Sequence, residues 1–342
     1  HPPPKKIKPA TLTNKDSQCK KWFEKQKELE GLARLAPGFS GAKQRGKRIE
    51  FSTASKVLIH KVHQRFNQDI QLLLSDEPRY QTTRKKNMLD SNVLQRQMKK
   101  GVVTRHDFSN QGALWGYMKH KFTKRALLVF EAFHSILRPP PFTLCNHIAN
   151  SSASSSADPV LVRNQLLKKC SSSSKAFHVA SIGGGPGNDL YGFVLFKELC
   201  LDGIDTDTDT EAATELLTEL SVFDFVEDAW SPLVDKVSNV IGYPINCLPC
   251  NVKAPLCREE NVELLNRCRN VDIYLFSFVL HECRKEWHAF LSELWEHAQV
   301  NCIFYFKEPS DWIINRIIEH FGWILHVDYW VVLGDGIVVI KK

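Results

Sequence analysis

The pattern of hydrophobic and polar residues divides this 342-residue chain into a helical first half and an alternating second half. Between residues 54 and 75, and again in "GALWGYMKHKFTKRALLVFEAFHSIL" (112–137), apolar side chains recur at the spacing of an amphipathic helix, which "RPPPF" then ends. We therefore predict a helical cap over residues 51–148. Weak periodicity predicts a mostly disordered basic tail over residues 1–50, with one short helix at "CKKWFEKQKELEGLARL".

From residue 177 onward, short apolar runs alternate with helical patterns. The runs predict strands near 177–182, 220–225, 244–250, 271–278, 300–306, 323–331 and 336–341, with helices between the first six. This alternation predicts an α/β domain over residues 176–342, with a mostly parallel seven-stranded sheet covered by helices on both faces. The last two runs predict one antiparallel strand at the end of that sheet.

Two stretches of unusual composition lie outside these elements. "NSSASSSADP" and "SSSSK" flank the helical pattern "VLVRNQLLKKC" and predict a flexible linker over residues 149–175. "LDGIDTDTDTEAATELLTEL" (201–220) predicts a surface insertion, because it lacks the Gly and terminal Glu of a calcium-binding loop.

The charge of the chain is divided between its halves. Residues 1–150 hold 29 Lys and Arg against 11 Asp and Glu, a net charge of +18, whereas the remaining residues have a net charge of −11. Basic runs such as "KQRGKR" can follow a phosphate backbone, and basic faces can equally be solvated or dock on the acidic half. No run of 18 apolar residues is present, so we predict no membrane span.

Ten cysteines are scattered without the close framework of small secreted proteins, which favours a reducing compartment, the cytosol or the nucleus. Cys247 and Cys250 have the spacing of a zinc knuckle. Cys257 and Cys268 are too far apart to form a second knuckle, so buried thiols are the favoured interpretation and no metal is predicted.

The stretch "VASIGGGPGND" (179–189) places a glycine-rich turn between a predicted strand and a predicted helix. Counted from Gly183, the sixth position is Asn188, so the dinucleotide fingerprint fails. Gly183, Gly185 and Gly187 remain at alternate positions, where backbone can approach a ligand closely.

Residues 177–342 resemble the class I S-adenosylmethionine-dependent methyltransferases in the glycine turn and in four further motifs that follow it along the chain. "HVASIGGGPGND" is similar to the first motif of that family, and "LSVFDFVEDAW" to its second strand with an acidic end. "INCLPCNVKAPL", "VDIYLFSFVLHE" and "CIFYFKEPSDW" are similar to the following three. The resemblance implies a Rossmann-like fold, methyl transfer and S-adenosylmethionine as cofactor.

The resemblance also implies a set of cofactor-binding residues. The three glycines would lie against the methionine moiety and ribose, and Asp224 would accept hydrogen bonds from both ribose hydroxyls. Glu227 or Asp228 is the alternative ribose ligand, and Trp230 or Phe225 would flank the adenine. The remaining members of the set are Asp189, Asn251, Val252 and Ser277.

Two positions depart from the family pattern. Ser181 stands where an acidic residue is common, so Asp189 is either the compensating carboxylate or a residue favoured by the helix macrodipole. Asn251 stands where Asp is usual, and its amide oxygen can still accept a hydrogen bond from adenine.

Substrate-side chemistry is expected where the fourth strand ends. His281 is a candidate base with Glu282 orienting it, and both residues can equally be the start of the next helix. Glu308, after the fifth strand, is a weaker candidate. A "DPPY"- or "NPPF"-type tetrapeptide is absent, which argues against adenine N6 methylation.

Three functions are consistent with the sequence. The first is an RNA methyltransferase, with Trp115, Tyr117 and Phe122 of "LWGYMKHKFTKR" stacking on bases. The second is a protein or small-molecule methyltransferase in which these aromatic residues belong to the core or line the cofactor. The third is a non-catalytic binding module that keeps the fold.

Overall fold

The structure is a computed structural model. It describes residues 62, 64–66, 68, 69, 71–73, 84–100, 103–137, 159–170, 177–201, 218–284, 286–309, 311–324, 330–333 and 336–341. The chain divides into two compact units, and every element named below belongs to the unit formed by residues 67–140 and 144–342. The predicted tail, the short helix within it and most of the acidic insertion lie outside the described residues.

Within the described chain, seven strands form one sheet in the order β3-β2-β1-β4-β5-β7-β6. The neighbouring strands from β3 to β5 are parallel, whereas β7 is antiparallel to both β5 and β6. The strands are β1 (Phe177–Ile182), β2 (Thr218–Asp224), β3 (Ile245–Pro249), β4 (Ile273–Ser277), β5 (Ile303–Lys307), β6 (Trp330–Leu333) and β7 (Gly336–Ile340).

Helices cover the sheet and connect its parallel strands. In the described ranges they are α1 (Arg84–Lys100), α2 (Gln111–Leu137), α3 (Pro159–Cys170), α4 (Asn188–Phe196), α5 (Glu227–Ile241), α6 (Val262–Arg267), α7 (Val279–Cys283), α8 (His288–His297) and α9 (Asp311–Ile324). None of these helices is long and apolar enough to cross a bilayer. The predicted mixed α/β class with helices on both faces is confirmed.

The sequence prediction was wrong at the last strands. The antiparallel strand does not lie at the edge of the sheet, because β7 inserts between β5 and β6. The predicted strand 323–331 was also misplaced: α9 continues to Ile324, and the strand begins at Trp330. A short apolar run such as "WIL" fits a helix or a strand equally well, so its pattern could not separate the two.

Burial explains why the central strands form where they do. All six residues of β1 and all five of β4 are buried, as expected for parallel strands with helices on both faces. The sheet core continues into a cluster of aromatic rings in which Tyr274 and Phe304 stack with centroids 4.6 Å apart. The carboxyl ends of β1, β2 and β4 therefore lie side by side on a rigid support.

Helix α2 packs directly on α4. Gly192 of α4 has no side chain, and a Cβ there would overlap the backbone carbonyl of Ala126 in α2. Phe122 of α2 also packs edge-on against Tyr191, with ring centroids 5.4 Å apart. Part of the predicted helical cap is therefore packed against the helix that follows the glycine turn.

The predicted linker contains a packed helix. Val162 and Leu166 of α3 are buried, so this part of residues 149–175 is a packed element rather than a free connector. Helix α1, in contrast, lies in a segment where the sequence pattern predicted no separate helix. Its residues include few that are apolar, so periodicity gave a weak signal there.

Asp272 connects several elements at the edge of the sheet opposite the glycine turn. Its Oδ2 accepts a hydrogen bond from the backbone N–H of His178 at 3.1 Å. Its Oδ1 accepts from Lys169 Nζ at 2.8 Å and from Gln299 Nε2 at 2.9 Å. One carboxylate thus holds α3, β1 and the segment before β5 together.

We expect Asp272→Ala to lower the free energy of unfolding by about 3 kcal/mol, because it leaves a largely buried ammonium and a buried amide without their acceptor. Chemical denaturation followed by circular dichroism measures this change. The matched control is Asp235→Ala, at an exposed position of α5, with an expected change within about 0.5 kcal/mol. Equal effects of the two substitutions would contradict this role of Asp272.

Candidate functional site

The candidate site lies at the carboxyl ends of β1, β2 and β4. Ligands of open α/β sheets bind at this edge, because the loops that follow adjacent parallel strands meet there. The three loops contribute the glycine turn (183–187), the acidic end of β2 at Asp224, and the segment from Ser277 to Glu282.

The glycine turn adopts backbone conformations that side chains disfavour. Gly183, Gly185 and Gly187 have φ angles of +63°, +51° and +83°, and Gly187 is the N-cap of α4. At Gly183 a Cβ would overlap the side chain of Val279, so the turn also packs closely on the start of α7. The conformation explains the alternate glycines, because glycine adopts a positive φ without the steric cost of a Cβ.

Asp224 binds the backbone of two loops. Its Oδ2 accepts a hydrogen bond from Gly185 N–H at 3.0 Å, and its Oδ1 accepts from Val226 N–H at 3.1 Å. Burial raises the pKa of the carboxyl, and these two hydrogen bonds act in the opposite direction. Because a carboxylate offers about four acceptor sites, Asp224 retains capacity for a ligand with two hydroxyl groups.

The alternative ribose ligands are placed less favourably. Asp228 is exposed on α5. Glu227 lies 3.5 Å from Arg105 Nη2, and that arginine also lies over the ring of Phe225, 5.2 Å from its centroid. Of the acidic residues near the end of β2, Asp224 alone bonds the glycine turn in the described chain.

Asp189 is fully buried at the start of α4. Ser181 Oγ donates to its Oδ2 at 3.1 Å, and Asn188 Nδ2 donates to its Oδ1 at 2.6 Å. Burial raises the pKa of Asp189 to about 6, opposed by the positive charge of Arg125. Ser181 therefore connects the end of β1 to a carboxylate, so the acidic group that the sequence pattern lacked at this position is present nearby.

Two buried polar atoms near Asp189 make no hydrogen bond. They are Asn188 Oδ1 and Ser277 Oγ, and both residues are at least 97% buried. Ser277 lies close enough to Asp189 to lower the pKa of that carboxyl, yet its hydroxyl has no partner at normal hydrogen-bonding distance. Buried polar atoms are rarely left without partners, so this part of the site fits a polar ligand group.

The loop after β3 is fixed by a residue that sequence reasoning missed. Asn261 Oδ1 accepts from Asn251 N–H at 2.7 Å, and its Nδ2 donates to the carbonyls of Asn251, Ala254 and Pro255. Asn251 Oδ1 already accepts from Lys253 N–H at 3.1 Å, and Val252 packs into the sheet core. An isolated Asn in a polar segment gives no sequence signal for this role.

The two aromatic candidates for the adenine differ in exposure. Trp230 is buried beside Gly185, with Tyr117 at 5.6 Å and Phe108 at 6.0 Å between ring centroids. Phe225 is half-buried, so more of its ring is available to a ligand. Trp230 therefore packs against the glycine turn at Gly185.

The turn after β4 contains a strained residue. Phe278 has a φ of +66°, which is a rare conformation for a bulky side chain and is often found at functional sites. Its N–H donates to the carbonyl of Lys307 at 2.7 Å. Glu308 then accepts from the N–H groups of Leu280 at 3.0 Å and His281 at 3.2 Å, so this carboxylate fixes the start of α7.

His281 and Glu282 do not form the pair that the sequence suggested. Consecutive residues on a helix point in different directions, and no hydrogen bond joins these two side chains among the residues described. Glu282 Oε1 instead lies 3.8 Å from Arg125 Nη2. Burial raises the pKa of Glu282 to about 7, and Arg125 acts against that rise.

Arg125 is the main site residue that sequence reasoning missed. It comes from α2, yet its guanidinium lies 4.8 Å from the ring centroid of Phe278 and 5.6 Å from that of Tyr117. A basic residue in a strongly basic half of the chain is not distinguished by composition. Its contacts with Phe278 and Glu282 in the folded chain show that this arginine enters the site.

The proposed base-stacking residues are unavailable. Trp115, Tyr117 and Phe122 are at least 97% buried, so they are core residues of α2. Of the four cysteines discussed above, Cys250 and Cys268 are buried thiols as predicted, whereas Cys247 is half-buried and Cys257 is exposed.

Comparison of this chain with known proteins finds similar structures but no relatives in sequence. No family model matches this chain, and no curated protein matches it significantly. A carbon methyltransferase, CurJ, is similar at 12% identity and TM-score 0.40, over 94% of this chain and 79% of its own. The mitomycin 7-O-methyltransferase MmcR is similar at 11% identity and TM-score 0.31, over 71% and 74%. A phosphoethanolamine N-methyltransferase from Haemonchus contortus has 12% identity and TM-score 0.25, over 64% and 40%.

The chain's own architecture defines its fold. The parallel strands from β3 to β5, the glycine turn after β1 and the acidic end of β2 agree with the Rossmann-like fold that the sequence resemblance implied. The protein has the Rossmann-like fold of the class I S-adenosylmethionine-dependent methyltransferases.

The buried carboxyls predict how stability depends on pH. Burial raises the pKa of Glu308 from its ordinary value of 4.5 to about 8. Between these values Glu308 binds more protons in the folded protein than in the unfolded chain, so its contribution to stability is complete below about pH 4.5 and falls as pH rises toward 8. Asp189 and Glu282 contribute in the same direction.

We expect the melting temperature of Glu308→Gln to vary less between pH 5 and about 8 than that of the unmodified protein, because the substitution removes one of these titrating groups. Differential scanning calorimetry across that range measures the slope. Glu319→Gln, at an exposed position of α9, should keep the full slope. The same slope in both variants would argue against a buried, titrating Glu308.

Proposed function

We propose that this protein is an S-adenosylmethionine-dependent methyltransferase. The observation that carries the proposal is the contact between Asp224 Oδ2 and Gly185 N–H at 3.0 Å. It places a carboxylate suited to two ribose hydroxyls directly beside the glycine turn after β1. The two unpartnered atoms at Asn188 and Ser277 support a polar ligand in the same place.

The residues present fit the cofactor. Gly183, Gly185 and Gly187 would lie against its methionine and ribose parts, and Asp224 would accept from the ribose. Ser277 and Asp189 would receive polar groups of the amino acid part, and Asn251 and Val252 would border the adenine with Phe225. When bound, S-adenosylmethionine supplies an electrophilic methyl group on a positively charged sulfur.

The chain's own contribution to methyl transfer is alignment, exclusion of water and removal of a proton. Glu282 is the better of the two predicted catalytic residues. Its side chain is 25% exposed, and burial raises its pKa to about 7. His281 is half-buried next to it and stays a second candidate for the same role.

The buried aromatic residues favour a protein or a small molecule as substrate. Base stacking by Trp115, Tyr117 and Phe122 was the specific support for RNA, and these side chains lie in the core. Helix α2 contributes Arg125 to the site, which is consistent with a helical segment that borders the substrate.

RNA is the second candidate substrate, because residues 1–150 have a net charge of +18. A surface of this charge binds phosphate backbones in a salt-dependent manner. We also propose that the protein acts in the cytosol or the nucleus, since free thiols suit a reducing compartment.

The experiment that tests the proposal is transfer of a radiolabelled methyl group from S-adenosylmethionine into a cell extract by the 342-residue chain. We expect labelled product with the unmodified protein. Asp224→Asn should reduce labelling about tenfold to a hundredfold, because charge-assisted hydrogen bonds contribute about 1.5–3 kcal/mol. Asp228→Asn should retain labelling if Asp224 is the ribose ligand.

The products separate the alternatives. Label in protein or in small molecules supports the first substrate class, whereas ribonuclease-sensitive label that falls with added salt supports RNA. Absence of labelled product together with absence of cofactor binding would contradict the proposal and favour a non-catalytic module.

A further inference from the structure

Arg125 occupies a position in the site that the family resemblance did not indicate. Its side chain is 13% exposed, and its Nη2 lies 3.8 Å from Glu282 Oε1. The rings of Phe278 and Tyr117 lie near its guanidinium, at 4.8 Å and 5.6 Å between the Cζ atom and the ring centroids. Contacts with two aromatic rings restrict the orientation of a guanidinium, so the charge is held near one place.

Charged groups around Glu282 act on its pKa in opposite directions. Asp224 raises the pKa of Glu282 by its negative charge, whereas Arg125 lowers it. Glu282 in turn influences the acids near it, raising the pKa of Tyr117, Cys283 and Glu308. Glu282 therefore lies among acidic groups and beside one guanidinium.

We propose that Arg125 is a positioning residue for methyl transfer: it holds the Glu282 carboxylate ionised at the end of β4, where that carboxylate accepts the proton of the substrate's nucleophilic atom. The proposal rests on the proposed function. The proton leaves an N–H or O–H group of the substrate and is bound by a Glu282 oxygen. Solvent can then remove it, because the Glu282 side chain is partly exposed.

The other acidic residues of the site are less suited to this role. Both oxygens of Glu308 accept backbone N–H groups at the start of α7, and the residue is 1% exposed. Asp189 accepts hydrogen bonds from Ser181 and Asn188 and is also 1% exposed. Glu282 combines partial exposure with an opposite charge nearby, as a general base requires.

The test is the pH profile of kcat/KM for the methyl transfer, with the unmodified chain, Arg125→Gln and Arg125→Lys. Removing a positive charge at this distance raises the pKa of a carboxyl by about one to three units. We therefore expect the acidic limb of the Arg125→Gln profile to move to higher pH by about that amount, with activity recovering at alkaline pH. Arg125→Lys keeps the charge and should move the limb less.

The matched control is Arg269→Gln, which removes the same charge at an exposed position before β4, at the opposite end of that strand. Its pH profile should equal that of the unmodified chain. Circular dichroism and thermal melting establish that each variant is folded. Carbon-13 NMR of glutamate-labelled protein, with Glu282→Gln to identify the signal, reports the titration of Glu282 without turnover.

The outcomes separate the role of Arg125 from the proposed function. A shifted limb and a parallel shift of the Glu282 titration support the proposal. An unmoved limb in a folded Arg125→Gln, or a raised KM for S-adenosylmethionine with an unmoved limb, would overturn it and assign Arg125 to the fold or to the cofactor. An unmodified chain that binds no S-adenosylmethionine would instead overturn the proposed function, whatever the NMR titration shows.

Discussion

The hydrogen bond from Gly185 N–H to Asp224 Oδ2 is the interaction on which the site depends. It connects the turn after β1 to the end of β2, and the second carboxylate oxygen binds Val226 N–H to fix the next turn. The parallel pairing of β1 with β2 and β4 brings the loops to one edge, but pairing alone does not set their distance. Asp224 sets it, and the left-handed glycines allow the approach.

A second constraint is electrostatic. Asp189, Glu282 and Glu308 all have raised pKa values because they are removed from water, and the guanidinium of Arg125 opposes this rise at each of them. That guanidinium is contributed by α2, which packs on α4 through the missing side chain of Gly192. The packing of α2 on α4 thus accompanies the entry of a positive charge from the first half of the chain into the candidate site.

The sequence was sufficient for those features that depend on local pattern. The alternating runs predicted the sheet and its helices, and the motif resemblance assigned the glycine turn and Asp224 to one site, although it did not predict the hydrogen bond between Gly185 and Asp224. The sequence was insufficient where tertiary packing decides. The pattern of α2 left the aromatic residues open between base stacking and the core, and nothing in the sequence showed that Arg125 faces the site or that Phe278 adopts a positive φ. The insertion of β7 between β5 and β6 is likewise a matter of pairing, which the order of strands along the chain does not determine.

The central claim is that the edge formed by β1, β2 and β4 binds S-adenosylmethionine. Isothermal titration calorimetry of the 342-residue chain, with Gly185→Arg as the comparison, tests it most directly, because an arginine at this left-handed position would disrupt the turn. We expect the unmodified chain to bind S-adenosylmethionine saturably, and we expect a folded Gly185→Arg to lose that binding. Absence of binding to the unmodified chain, or equal binding to both proteins, would contradict it.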